Sequence, residues 1–140
     1  MRINFFIGFL SSALLALTAT AIFGQTKPPS LQKTFRATGT YSNMYYNAEA
    51  GDVIGDEIKI VYTRNGYQGV MQFAEGEPEE LVIVSVKVKG TSISFSVPNS
   101  SPYSGQFAGV IENGTLKGEF RFKTGGVDRV ELKKGKSYWD

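Results

Sequence analysis

The side chains available for chemistry in this chain are carboxylates, lysines and tyrosines, because it contains neither cysteine nor histidine. Zinc sites of the usual kind, thiol nucleophiles and histidine-based general base catalysis are thereby excluded. A carboxylate or lysine takes over such work only where burial or a neighbouring charge shifts its pKa. Two acidic groupings come into question. Asp52, Asp56 and Glu57 could supply the paired acids of glycoside hydrolysis, yet their spacing suits the entrance of a strand equally well. Glu75, Glu77, Glu79 and Glu80, interleaved with Gly76 and Pro78, carry enough oxygens for calcium but lack the alternating ligand spacing of calcium loops. They read as a solvated hairpin tip. No metal or cofactor is expected, and the chain reads as non-catalytic.

The stronger pattern is aromatic. Met44-Tyr45-Tyr46 follows Tyr41 closely, and Tyr103 stands alone in a later loop. Tyrosines combine a large apolar face with a hydroxyl, so such a group can stack on a ligand and hydrogen-bond it, or can plug one end of a core. With Phe73 and Phe122, which alternation turns inward, the candidate ligand contacts are Tyr41, Met44, Tyr45, Tyr46, Phe73, Tyr103 and Phe122.

The elements that must position these residues are short strands. At 140 residues, with 41% hydrophobic and 20% charged residues, the chain builds one ordinary globular core. Beyond residue 33, apolar and polar residues alternate between glycine-containing turns, the signature of antiparallel hairpins. Eight strands are predicted, over 34–41, 56–64, 67–74, 81–89, 92–98, 104–112, 115–123 and 127–133.

Two-residue turns fix register. Asn65-Gly66 predicts Tyr62 opposite Gly69, Ile60 opposite Met71 and Ile58 opposite Phe73. Asn113-Gly114 predicts Ile111 opposite Leu116, Gly109 opposite Gly118, Phe107 opposite Phe120 and Gly105 opposite Phe122. Gly90-Thr91 predicts Val88 opposite Ile93, Val86 opposite Phe95 and Val84 opposite Val97. A three-residue loop, Thr124 to Gly126, predicts Phe120 opposite Val130 and Gly118 opposite Leu132. Every pair closes on one apolar face. The fold predicted is all-β, an eight-stranded antiparallel up-and-down meander barrel.

In such a meander the tight turns share one end and the longer connections, 42–55, 75–80, 99–103 and 124–126, share the other. That open end collects most acidic residues, while Arg64, Lys87, Lys89, Lys117, Lys133 and Lys134 lie toward the tight-turn end. An acidic rim favours a cationic or neutral ligand over an anion. The tail from Leu132 to Asp140 mixes lysines with Tyr138 and Trp139, and the aromatics are expected to cover the barrel flank or its basic end. The tail or the leader is also a candidate cover for Leu81 and Ile83, the outer apolar residues of strand 81–89.

Residues 1–24 hold Arg2, an apolar run from Phe5 to Leu17 and small residues up to Ala21 and Gly24, the layout of a cleavable secretory signal. Residues 25–33, with Pro28-Pro29, form a flexible leader, and 34–140 the barrel with its aromatic tail. The mature chain is expected to be secreted or periplasmic. Its net charge of +2 falls to about +1 without Arg2, which favours neither nucleic acid nor stable insertion into a membrane.

Thr38-Gly39-Thr40-Tyr41-Ser42-Asn43, followed by Ile93-Ser94-Phe95-Ser96-Val97 and Ser104-Gly105-Gln106, resembles the calycin barrels, the lipocalins and avidins. The third position of their Gly-x-Trp motif is Tyr41 here, and the only tryptophan is Trp139, so the resemblance implies the barrel and a one-ended cavity but not biotin. Three functions follow in order. The first is a binding module for a small, largely apolar ligand at the open end. The second is a filled barrel presenting its loops to a protein partner, as an interaction or inhibitor module. The third is a small outer-membrane barrel.

Overall fold

The computed structural model describes residues 35–140; the expected secretory signal, 1–24, and leader, 25–33, lie outside the described residues. Ten antiparallel strands follow in chain order: β1 (Gly39–Ser42), β2 (Tyr45–Asn47), β3 (Asp52–Thr63), β4 (Gly66–Gly76), β5 (Val82–Ser85), β6 (Lys87–Lys89), β7 (Ser92–Val97), β8 (Gly105–Glu112), β9 (Thr115–Phe122) and β10 (Val127–Gly135). They form one sheet in the order β5-β4-β3-β1-β10-β9-β8-β7-β6, with β2 paired to β3. The outermost strands, β5 and β6, are consecutive in the chain and separated only by Val86. The sheet therefore curls into a nearly closed up-and-down barrel, with a seam where β5 passes β7 without a ladder.

The ten strands replace the eight expected because one predicted strand divides and one predicted connection carries a strand of its own. Strand 81–89 splits at Val86, whose N–H donates to the Tyr67 carbonyl at 3.0 Å. Its first half pairs with β4 and its second with β7, so the expected pairs of Val86 with Phe95 and Val84 with Val97 do not form. Residues 42–55 are a hairpin arm rather than a loop. In it β2 pairs with an extended β3, Tyr45 opposite Ile54 and Tyr46 opposite Val53.

Turn chemistry decides the registers. Asn113 (φ 50°) and Gly114 (φ 77°) are both left-handed, the pairing a two-residue hairpin turn requires, and all four predicted pairs between β8 and β9 are present. At Asn65-Gly66 only the glycine is left-handed, at φ 93°. The chain turns through Arg64-Asn65 instead, organised by the Thr63 hydroxyl, which accepts from the Asn65 N–H and donates to the Gly66 carbonyl. The register moves by two, placing Ile60 opposite Gly69 and Ile58 opposite Met71. Gly125, at φ 101°, does the same at the last hairpin: Gly118 faces Val130 and Phe120 faces Asp128. A shift of two preserves the inward face, but it carries Tyr62 past the end of the core. Tyr62 is 70% exposed and meets Tyr67 edge to face at 4.9 Å.

The interior is filled. Tyr41, Ile58, Ile60, Met71, Ile93, Phe107, Leu116, Phe120 and Leu132 are all buried. Phe107 lies at the centre, 4.8 Å from Phe95 and 5.0 Å from Phe120 between ring centroids. Its ring tip lies over the facing pair Gly109 and Gly118, where an added Cβ would come within 2.8 Å and 2.5 Å of the ring. The tail docks on the outer face of β3 and β4, not on Leu81 and Ile83, which are exposed among the described residues; the leader, the other candidate cover, lies outside them. Glu57 accepts from the Ser137 hydroxyl at 2.5 Å and the Tyr138 N–H at 2.8 Å, and Trp139 Nε1 donates to Gln72 Oε1 at 2.8 Å.

Because the Phe107 ring and the Gly109 backbone both confine position 118, Gly118→Ala is expected to destabilise the domain by about 1–3 kcal/mol through overpacking. Chemical denaturation of this variant beside Gly125→Ala, whose added methyl meets nothing within 4 Å, separates crowding from the loss of a left-handed glycine.

Candidate functional site

The open end is built on inward-facing positions of three strands. Asp56 on β3, Phe73 and Glu75 on β4, and Asp128 on β10 continue the alternation of Ile58, Met71 and Val130. Asp56 stands opposite Phe73 and Asp128 opposite Phe120. The Tyr103 ring covers this floor, stacked on Phe73 at 4.5 Å and meeting Phe122 at 6.4 Å.

Tyr103 is held rather than free. Its N–H donates to the Ser101 hydroxyl at 3.2 Å, and the Ser101 and Ser104 N–H groups close successive turns onto Pro98 and Ser101. The loop is also tied to the last hairpin, where the Lys123 N–H donates to the Ser104 carbonyl and its ammonium to Asn99 Oδ1.

The predicted contacts thus separate into groups. Phe73, Tyr103 and Phe122 come together at the mouth. Tyr41 points the other way, fully buried, its hydroxyl donating to the Ala37 carbonyl at 2.9 Å while the Lys134 ammonium lies 5.4 Å from its ring centre. Met44 interrupts the strand between β1 and β2. Tyr45 and Tyr46, 53% and 58% exposed, stand on the hairpin arm. Asn43 keeps that arm in line: its N–H donates to the Asp56 carbonyl at 3.1 Å and its Oδ1 accepts from the Asp56 N–H at 2.7 Å. Gly55 leaves room for this contact, since a Cβ there would come within 2.7 Å of Asn43 Oδ1. No motif in the sequence announces Asn43 or Lys134 in these roles.

Electrostatics at the mouth follow from crowding. Burial first, then Asp128 and Glu75, push the Asp56 carboxyl up to about 7. The Tyr103 hydroxyl is also raised, by burial, then by Glu75, Glu79 and Asp56, and by hydrogen bonding to Glu75. A carboxyl that keeps its proton near neutrality can donate as well as accept a hydrogen bond. Glu57, by contrast, is engaged by the tail on the outer face, so Asp56 and Glu57 do not flank one cleft. Among the described residues no three acidic side chains converge as a metal ion requires.

No family model, no curated protein and no solved structure matches this chain.

Asp56 links stability to pH. Its folded-state pKa lies above the ordinary value of 3.8, so the folded state holds a proton the unfolded chain has released between about pH 4 and 7. Stability should fall as pH rises through that window, by about 1–2 kcal/mol once solvent screening is allowed for. In Asp56→Asn that part of the slope should vanish, as thermal unfolding at pH 5 and pH 8 would show.

Proposed function

We propose that the mature chain is an exported, non-catalytic binding module that recognises a protein partner through its open end and tyrosine arm. The observation that carries this reading is that the barrel is occupied by its own side chains while Tyr45 and Tyr46 are left more than half exposed beside it. An eight-stranded barrel is just wide enough for side chains to fill it, and here Phe107, Phe120, Met71 and Tyr41 are fully or almost fully buried in one core. Binding then takes place on the outside, where rigid tyrosines supply large contact area at low entropy cost.

The arm is suited to this. Asn47 closes its tip, accepting the Gly51 N–H on its carbonyl at 2.8 Å and the Glu49 N–H on its side chain at 3.2 Å. Tyr45 and Tyr46 alternate along β2, so one ring faces each side of the arm. The carboxylates Glu49 and Asp52 beside them, with Glu75 and Asp128 at the mouth, favour a partner surface with lysine or arginine.

Export rests on Arg2, the Phe5 to Leu17 run and the small residues after it. The outer faces of β9 and β10 carry Lys117, Glu119, Arg121, Arg129, Glu131 and Lys133, which supports a barrel surrounded by water over one surrounded by lipid. Kinship with calycins belongs to the same proposal. It is supported by the meander and by Gly39 and Tyr41 on β1, with the one-ended cavity of that group replaced by a packed interior.

Native mass spectrometry of the protein purified from its own source should give the polypeptide mass alone. A retained small molecule would overturn the filled-barrel reading and restore the carrier. The double variant Tyr45→Ala, Tyr46→Ala should keep its Tm within about 2 °C, since exposed positions contribute little to stability. A large loss of Tm would mean that the tyrosines are part of the core.

A further inference from the structure

From residue 79 to residue 89 every odd-numbered side chain faces outward. Glu79, Leu81, Ile83, Ser85, Lys87 and Lys89 are exposed, whereas Val84 and Val86 are buried and Val82 and Val88 partly so. The alternation runs on through Val86 although the ladder partner changes there from β4 to β7. One stripe therefore leads from an acidic end, across two exposed aliphatic residues, to a basic end.

A single exposed aliphatic side chain needs no explanation. Ile83 on β5 and Leu81 just before it, 71% and 64% exposed, lie on the same face beside the outermost strand of the sheet, where charge ordinarily guards against association. Here the charges stand at the two ends of the stripe instead. Among the described residues the ion pairs are Lys117 with Glu131 and Glu119 with Arg121 and Arg129, so Glu79, Lys87 and Lys89 have no ionic partner. The acidic end is fixed in place: the Glu79 N–H donates to the Phe73 carbonyl at 2.9 Å, and its own carbonyl accepts from Gln72 Nε2 at 2.8 Å.

We propose that this stripe docks a second copy of the chain, antiparallel, with Ile83 on the twofold axis. Read backwards, its charge order is its own complement. Glu79 and Lys87 stand equally far from Ile83 on opposite sides, and Glu77 and Lys89 repeat the opposition further out. Antiparallel docking sets Glu79 against Lys87 of the second copy at both ends, Leu81 against Ser85 of the second copy, and the two Ile83 side chains against each other. Parallel docking would oppose like charges at both ends of the stripe. The contact uses outward side chains only, because the free edge of β5 faces β7 across the seam. Hollows of about 690 Å³ and 410 Å³, meeting at Ile83 and Pro98, border the stripe and leave room for aliphatic side chains of the second copy. A twofold contact of this kind is isologous and closes at two copies.

Sedimentation velocity on the chain over a wide concentration range tests the proposal, with circular dichroism to confirm that each variant folds. The wild type should pass reversibly from monomer to dimer. E79K and K87E should each weaken the dimer at least about tenfold, since each opposes like charges twice. Mixing E79K with K87E should restore dimer to near the wild-type level, because both interfacial pairs are then of opposite sign. A wild type that stays monomeric, a dimer indifferent to both variants, or a mixture that fails to recover would each overturn the proposal.

Discussion

The contact on which the rest of the structure depends is the Phe107 ring tip lying against backbone at Gly109 and Gly118. Two facing glycines leave adjacent strands without Cβ atoms at one level of the core, and the ring enters the space they vacate. That close approach lets β8 and β9 coil strongly, and it sets the aromatic column of Phe95, Phe107, Phe120 and Phe73 along the interior. With the column in place, the inward side chains of β1, β3, β4 and β7 to β10 pack as one core.

The surface is organised by the same alternation that fills the interior. Where strands run past the core, inward positions become a rim: Asp56, Glu75 and Asp128 at one end, capped by Tyr103. Two uncharged outward groups stand out, the tyrosine arm and the aliphatic pair Leu81 and Ile83 at β5. The two groups lie on different parts of the sheet, the arm paired to β3 and the aliphatic residues at the outermost strand beyond β4. A chain docked to a copy of itself along β5 would leave both arms free to meet a partner.

Much of this was legible in the residues. Alternation identified the inward face on every long strand, because burial selects a period that a side chain cannot evade. The turn Asn113-Gly114 was read correctly because both residues adopt left-handed backbone there. The same reasoning misplaced two hairpins by two residues, since Asn65-Gly66 and Thr124 to Gly126 each use a single left-handed glycine after an ordinary turn. Such turns differ in backbone geometry, not in composition. The arm was invisible for another reason: Asn43 aligns it through a contact to Asp56, thirteen residues away, and local pattern carries no trace of that. The mouth fared better. Phe73, Tyr103 and Phe122 do converge, while Tyr41 belongs to the opposite half of the core because its hydroxyl reaches back to Ala37.

The most direct measurement is a nuclear Overhauser spectrum of the isotope-labelled chain with assigned aromatic rings. The account requires cross-peaks from the Phe107 ring to the α-protons of Gly109 and Gly118 and to the Phe95 and Phe120 rings, and from Tyr103 to Phe73. Strong exchange cross-peaks between those rings and water, or ring contacts divided between two separate layers, would contradict a packed barrel and everything built on it.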